Sequence, residues 1–291
     1  MSGQPDPDFQ SDCDKRAEPT GRHNPRMVGI ESPRLPSVDR QVLLDRFDQL
    51  LEPGRFRDYG PNGLQVEGRA KVSRLVSGVT ASLALIEAAV QRGADAVFVH
   101  HGLFWRGQDG RVTGWMRQRL ALLLAHEINL FAYHLPLDAH PELGNNAQLA
   151  RRLGWQALEG AAGRFGENDL GFLGQSLAGP VSSPQELARQ IESGLGRRVT
   201  LVAGQDGPIR RLAWCTGGAQ GYFESAIAAG AQAFITGEIS EPQAHLARET
   251  GVSFIACGHH ASERFGAPAV AGFVANELGL SHEFIDIDNP A

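Results

Sequence analysis

From Leu75 onward, short runs of β-branched and apolar residues alternate with helical stretches, and this alternation limits the possible folds of the chain more than any other feature. Leu75–Val79 reads as a strand, Ser82–Arg92 as a helix stopped by Gly93, and Ala96–Val99 as a buried strand. Arg117–Glu127 is expected to be an amphipathic helix, Ile128–Tyr133 the next strand, and Asn146–Leu153 a helix ended by Gly154. Ser183-Pro-Gln-Glu186 then reads as a capping box with proline in the first helical turn. Further strands are expected at Arg198–Val202, Leu212–Cys215, Ala233–Thr236, Val252–Cys257 and Glu283–Ile287. Such a chain is α/β, with mostly parallel or mixed sheets carrying helices on their faces.

The alternation also echoes itself. GVTASLALIEAAVQRGADAVFVHH (Gly78–His101) aligns without a gap on CTGGAQGYFESAIAAGAQAFITGE (Cys215–Glu238), placing Glu87 on Glu224, Gly93 on Gly230 and Phe98 on Ile235. Each run is followed by a strand that ends in a histidine with a carboxylate four residues on: His134 and Asp138, then His259 and Glu263. All βαβ units share some features, but the matching His/carboxylate ends favour two similar halves facing each other. The expected division is 38–165 and 166–291. Before it, residues 1–37 hold six of the sixteen prolines and few large apolar groups, so a disordered tail is expected there. Ser37 is placed as the cap of a first helix whose stripe is Val38, Leu43, Leu44, Phe47, Leu50 and Leu51.

Composition narrows the setting. With 42% hydrophobic and 21% charged residues the 291-residue chain is an ordinary globular one, and its apolar run around Leu120–Ala125 is far too short to span a membrane. The opening MSGQPDPDFQ lacks the basic start and apolar core of a signal peptide. Three scattered cysteines (Cys13, Cys215, Cys257) fit reduced thiols and a cytoplasmic location. A net charge of −6 disfavours non-specific attraction to nucleic acid or anionic lipid.

The histidines carry the chemistry. His100-His101 follow Ala96–Val99, and adjacent histidines just past a strand can both turn to one site because side-chain alternation has stopped there. His134-Leu-Pro-Leu-Asp138 follows the next strand, and His259-His260-Ala-Ser-Glu263 follows Val252–Cys257. If a helix starts at Ala261, Glu263 lies in its first turn, facing back toward His259. Three histidine-bearing strand ends at one sheet edge point to metal. With no CxxC present, a thiolate zinc site does not fit; imidazoles and carboxylates suit Zn, Fe, Mn, Co or Ni alike. Five good ligands exceed the needs of one catalytic zinc. Two ions about 3.5–4 Å apart, bridged by a carboxylate and a water, would use them all.

Long motifs spread over Ser37 to the C-terminus then add a resemblance. DYGPNGLQVEG (Asp58–Gly68), GADAVFVHHGLFW (Gly93–Trp105), HLPLDAHPELGNNAQLA (His134–Ala150), AWCTGGAQ (Ala213–Gln220), AFITGEISE (Ala233–Glu241), GHHASER (Gly258–Arg264) and FIDIDNP (Phe284–Pro290), in this order, closely resemble the GTP cyclohydrolase I type 2 family, or Nif-three-like dinuclear metal-centre proteins, in its short bacterial branch. The resemblance implies two interlinked, similar α/β domains with mixed sheets, assembled as a toroidal homohexamer, a trimer of dimers. It implies two divalent metal ions per chain: His100 and His101 on one each, Asp138 on one, His259 on the other, and Glu263 bridging. Spacing alone leaves His259 and His260 equal; the family pattern selects His259, with His260 in a supporting or packing role. It places His134 beside the site, as an outer support or a proton carrier. The implied activity is metal-dependent hydrolysis of GTP or of other, including damaged, nucleotides. The alternative is a non-catalytic ring-shaped binding or regulatory protein with a structural or metal-sensing centre.

Weaker features remain open. Thr216-Gly-Gly-Ala-Gln-Gly221 can form a phosphate-binding nest or only a tight turn. Glu238 and Glu241 can line the cavity or be solvated surface acids. His23, His126, His140, His245 and His282 are read as ordinary polar residues.

Overall fold

The computed structural model describes residues 36–291, so the tail expected before Ser37 lies almost wholly outside the described residues. Two mixed sheets organise the chain. The first runs Ser281–Phe284, Arg74–Thr80, Ala96–His101, Asn129–Ala132 and Gly63–Val66, parallel except for the last strand. The second runs Thr200–Val202, Ser253–Ala256, Ala233–Thr236, Leu212–Trp214, Gly171–Ser176 and Trp155–Ala157, with the three strands from Ser253–Ala256 to Leu212–Trp214 parallel and antiparallel strands outside them. Arg164–Phe165 adds a further antiparallel pairing on Gly171–Ser176.

Both sheets are buried on two faces, which is why their central strands read as continuous apolar runs. In Ala96–His101, Ala96 and Phe98 pack toward the helices Arg40–Leu51 and Gly266–Leu278, while Val97 and Val99 pack toward Leu83–Gln91 and Gly114–Ala125. In the second sheet Trp214 and Ile235 face Asn145–Leu153 and Pro184–Leu195; Ala213 and Phe234 face Phe223–Ala228 and Glu241–Thr250. Each half is therefore a sheet between two helical layers. Among the described residues no helix is long and apolar enough to cross a membrane.

The halves interlock rather than follow one another. Trp155–Ala157 and Arg164–Phe165 already belong to the second sheet, ahead of the boundary expected at residue 165. Gly266–Leu278 and Ser281–Phe284 return to the first sheet, the strand pairing in register with Arg74–Ser77.

Several expected boundaries are corrected. Ser37 does not cap the first helix; Val38–Asp39 pairs with Lys71–Val72 and the helix begins at Arg40, burying Leu43, Phe47 and Leu51. The capping box at Ser183 is half made: Ser183 Oγ accepts from Glu186 N, but the Glu186 carboxylate is taken by Arg189 and Gln190. The last strand is Ser281–Phe284, not Glu283–Ile287. Gly171–Ser176 is a strand that its glycines conceal in the sequence. They are needed there: a Cβ on Gly174 would lie 2.1 Å from the Gln156 carbonyl oxygen, and one on Gly171 2.4 Å from the Phe165 ring.

Candidate metal centre

The site lies where the C-terminal ends of the parallel strands of both sheets meet. His100 and His101 are the last two residues of Ala96–His101, not residues beyond it, and His101 still pairs with Thr80. The expectation that alternation stops before them is corrected. The two rings nevertheless lie 4.4 Å apart at the strand's end. Glu263 faces back toward His259 as expected, but the helical turn lies elsewhere. A single helical turn, His259–Ser262, precedes it, and Glu263 closes that turn rather than opening a helix.

Each imidazole is tethered through Nδ1. His100 Nδ1 donates to the Tyr133 carbonyl at 3.1 Å, His101 Nδ1 meets Thr80 Oγ1 at 3.1 Å, and His259 Nδ1 meets Glu238 Oε1 at 2.6 Å. Such outer partners fix the ring and leave the other nitrogen for a ligand. All three Nε2 atoms converge on Glu263: His100 on Oε1 at 3.3 Å, His101 on Oε2 at 3.3 Å and His259 on Oε2 at 3.2 Å. Asp138 Oδ1 lies 3.6 Å from His100 Nε2 and accepts from Asn145 Nδ2 at 2.9 Å and Thr216 Oγ1 at 3.2 Å. Asn145 Oδ1 in turn accepts from Gly266 N, tying Asp138 to the helix that joins the halves.

These residues can hold a metal ion. Three ligand sets have their donor atoms within 4.8 Å of one another: His100, Asp138 and Glu263; His101, His259 and Glu263; and His100, His101 and His134. His100 Nε2 and Glu263 Oε2 are buried without a hydrogen-bond partner, which fits their use as ligand atoms.

Charge tells the same story. Burial opposes charge on His100, but the Asp138 and Glu263 carboxylates outweigh it and raise its pKa to about 9. Burial likewise opposes charge on His259, yet Glu263 and Glu238 raise it to about 9. Burial lowers His101 to about 3, so it stays neutral and free to ligate. Burial pushes the Asp138 carboxyl up, whereas the neighbouring imidazoles hold Glu263 well below the usual carboxylate range against its own burial. Two buried carboxylates here demand positive charge, and a metal ion supplies it where protons otherwise would.

The Thr216–Gly221 run bends at Gly217 and Gly218 and leads into a single 3-10 turn, Gln220–Tyr222. Three of its six N–H groups are already taken by side-chain oxygens: Thr216 N by Asn146, Gly217 N by Ser262 and Ala219 N by Thr236. Gly217 has φ +71°, and a Cβ there would sit 2.0 Å from Glu263 Oε1, so only glycine leaves room for that carboxylate.

His260 points elsewhere, its Nε2 3.3 Å from Asp286 Oδ1. His134 joins the cluster, 5.0 Å from the His100 ring and 5.7 Å from His101. Glu238 supports His259, while Glu241 pairs with His245 at 2.8 Å on an exposed helix. His282 meets Ser77 Oγ, and His140 Nδ1 accepts backbone N–H groups. Sequence reasoning missed Thr80, Asn145 and Asp58, the partner of His134 Nδ1 at 2.7 Å; each of these contacts depends on how the chain folds back on itself rather than on a local pattern. A cavity of about 200 Å³ opens over the cluster, lined by Tyr59, His134, Asp138, Tyr222, His259 and Glu263 among others.

The family model described as Duf34/NIF3 (NGG1p interacting factor 3) matches residues 38–290. The chain belongs to the Duf34/NIF3 family. A Pseudomonas aeruginosa relative of this Duf34/NIF3 chain, named GTP cyclohydrolase 1 type 2 homolog, is 54% identical over 256 residues, 88% of this chain and 100% of the relative. An Escherichia coli K12 protein of the same name is 50% identical over 246 residues, 84% of this chain and 96% of its own length. A solved structure described as protein ybgI, unknown function, matches with a TM-score of 0.82 at 47% identity, over 87% of this chain and 100% of that one. A Thermus thermophilus structure matches with a TM-score of 0.76 at 31% identity, over 87% and 100% respectively.

Proposed function

We propose that this Duf34/NIF3 chain binds two divalent metal ions and works as a metal-dependent hydrolase on GTP or on other, including damaged, nucleotides. The observation that carries the reading is the division of ligands about Glu263. Its Oε1 faces His100, beside Asp138, and its Oε2 faces His101 and His259, so one carboxylate serves two half-sites. The relatives' name, GTP cyclohydrolase 1 type 2 homolog, supports the choice of nucleotide.

A bound metal pair supplies hydroxide near neutral pH and positive charge for a developing anion. The chain's residues do the rest. Tyr133, Thr80 and Glu238 hold the three rings, Asn145 and Thr216 hold Asp138, and Gly217 keeps the Glu263 carboxylate seated. The cavity is smaller than the roughly 300–1,000 Å³ of whole-ligand pockets, so the reacting ring enters and the rest of the nucleotide projects past Tyr59 and Tyr222. His134 sits beside the centre as an outer support or proton carrier. The assembly is read as a homohexameric ring, a trimer of dimers, in the cytoplasm. Exposed Val112, Trp115 and Leu124, on and beside the helix Gly114–Ala125, offer apolar surface that a second copy can cover.

The test is a turnover screen of metal-reconstituted protein against GTP and nucleotide analogues, with His101→Ala alongside. The reading expects product from the unaltered chain and none from His101→Ala at an unchanged oligomer mass. Full metal loading without turnover of any nucleotide would favour the regulatory alternative.

A further inference from the structure

The run Asp58-Tyr-Gly-Pro-Asn62 supplies no ligand, yet it folds directly against the centre. The Asp58 side chain is only 3% exposed and uses both oxygens. Oδ1 accepts from Tyr59 N at 2.7 Å and lies 2.7 Å from His134 Nδ1, while Oδ2 accepts from Asn62 Nδ2 at 2.9 Å and Leu135 N at 2.9 Å. Asn62 Oδ1 closes the loop by accepting from His134 N at 2.8 Å. Gly60 lets the run lie flat, since a Cβ there would be 2.4 Å from the Phe104 carbonyl oxygen. Burial pushes the Asp58 carboxyl up, but hydrogen bonds from His134, Asn62 and Tyr59 outweigh it and hold it below the usual range. Three N–H groups donate to the two Asp58 oxygens, so the side chain is an acceptor at each of these contacts, and a carboxylate only accepts.

His134 must therefore carry a proton on Nδ1. Its ring is also packed in place, edge-on to Trp105 at 5.0 Å and to Tyr59 at 6.0 Å, with the His100 ring at 5.0 Å on another side. A ring flip would break the bond to a buried carboxylate, leaving that charge short of a partner. The other nitrogen, Nε2, makes no hydrogen bond among the described residues, and His134 lines the cavity over the ligand cluster.

We propose that Asp58 is a positioning residue that fixes His134 as the Nδ1–H tautomer, so that Nε2 faces the metal cavity as a hydrogen-bond acceptor for water or for a donor group of the substrate. The substrate half of this rests on the hydrolase reading; the tautomer half does not. The DYGPN run gains a role by this assignment: it orients a fourth imidazole beside the three that converge on Glu263. An aspartate that sets a histidine's tautomer in this way is worth several orders of magnitude where its loss leaves the wrong nitrogen protonated.

The experiment is solid-state ¹⁵N NMR of the full, zinc-loaded chain labelled at histidine, with His134 identified by difference against His134→Gln. Metal content and GTP turnover are measured on the same samples. The unaltered chain should show a protonated Nδ1 and an unprotonated, metal-free Nε2 at His134. Asp58→Asn, whose amide can donate to Nδ1, should move the proton to Nε2, keep the metal content, and lower turnover about 100-fold or more with KM little changed. A protonated Nε2 in the unaltered chain would overturn the assignment even if Asp58→Asn fails to fold. So would an unchanged tautomer in Asp58→Asn, or loss of metal with it, which would make His134 a ligand. If the unaltered chain turns over no GTP, the hydrolase reading fails on that arm, and the spectra still decide the role of Asp58.

Discussion

The two βαβ units that contain the sequence echo of Gly78–His101 and Cys215–Glu238, residues 73–101 and 210–238, are alike down to single hydrogen bonds. Asp95 Oδ2 accepts from the N–H groups of Ser73 and Arg74 at 2.8 and 3.0 Å, and Gln232 Oε1 does the same for Arg210 and Arg211 at 2.8 and 3.1 Å. Asp95 N donates to Arg74 O and Gln232 N to Arg211 O, both at 2.9 Å. Gly93 and Gly230 end the helices with φ of +61° and +81°. The difference lies in the last two residues. The first unit ends in His100-His101, the second in Gly237-Glu238. A Cβ on Gly237 would lie 2.6 Å from both Gly217 O and His259 Cα, so no side chain fits there. The second half brings its ligands one strand later, and there an extra residue, Gly258 with φ +99°, is set between Cys257 and His259. In the first half His134 follows Tyr133 directly and is taken by Asp58. One scaffold, used twice, is given chemistry by what stands at its strand ends.

The comparison breaks most completely at the carboxylate both half-sites share. Glu263→Gln removes the carboxylate on which three imidazoles converge, and metal content should fall from the proposed two ions per chain to fewer than one by elemental analysis. Retention of both ions would show that Glu263 does not bridge. His259→Ala should cost one of the two proposed ions, whereas His260→Ala should keep both because its ring faces Asp286. The reverse pattern would exchange the two histidines in the account.

A smaller effect sharpens the contrast between strand ends. Gly237→Ala should destabilise the chain by about 1–3 kcal/mol through overpacking against Gly217 and His259, read as a lower urea midpoint. Gly221→Ala, where nothing lies within 4 Å of the new Cβ, should stay within about 0.5 kcal/mol. Equal midpoints for the two variants would mean that the second strand end is not crowded.

The mildest prediction concerns pH. His100 and His259 have pKa values raised from 6.5 to about 9, so the stability they lend the metal-free chain is full below pH 6.5 and is lost as pH rises through about 9. His101, lowered to about 3, takes no part in that loss. Thermal melts of chelator-treated protein should fall across this window, while metal-loaded protein should not, since the cation replaces those protons. A flat profile in the metal-free chain would show that the carboxylates do not hold the histidines charged.

Much of this was legible in the sequence, because burial on both sheet faces imposes apolar strands and the glycines that stop helices are fixed by backbone geometry. The echo of Gly78–His101 in Cys215–Glu238 marks the two scaffolds in the sequence itself. What stayed hidden depends on partners distant in sequence. The strand runs on through His100 and His101 because Thr80 pairs with it, and Ser281–Phe284 takes its ends from Arg74–Ser77. The i, i+4 spacing does bring Glu263 back to His259, 3.2 Å away, but it does not show that the helical turn stops after four residues. Asp58 reaches His134 across 76 residues, a link that no local pattern encodes.

One carboxylate and three tethered imidazoles, with Asp138, are proposed to build two metal half-sites. The direct measurement is the metal content of the unaltered chain after mild purification and incubation in turn with Mn, Fe, Co and Zn, counted by elemental analysis. The account predicts about two divalent ions per chain with at least one of these metals; a value that stays near zero with all four would contradict it.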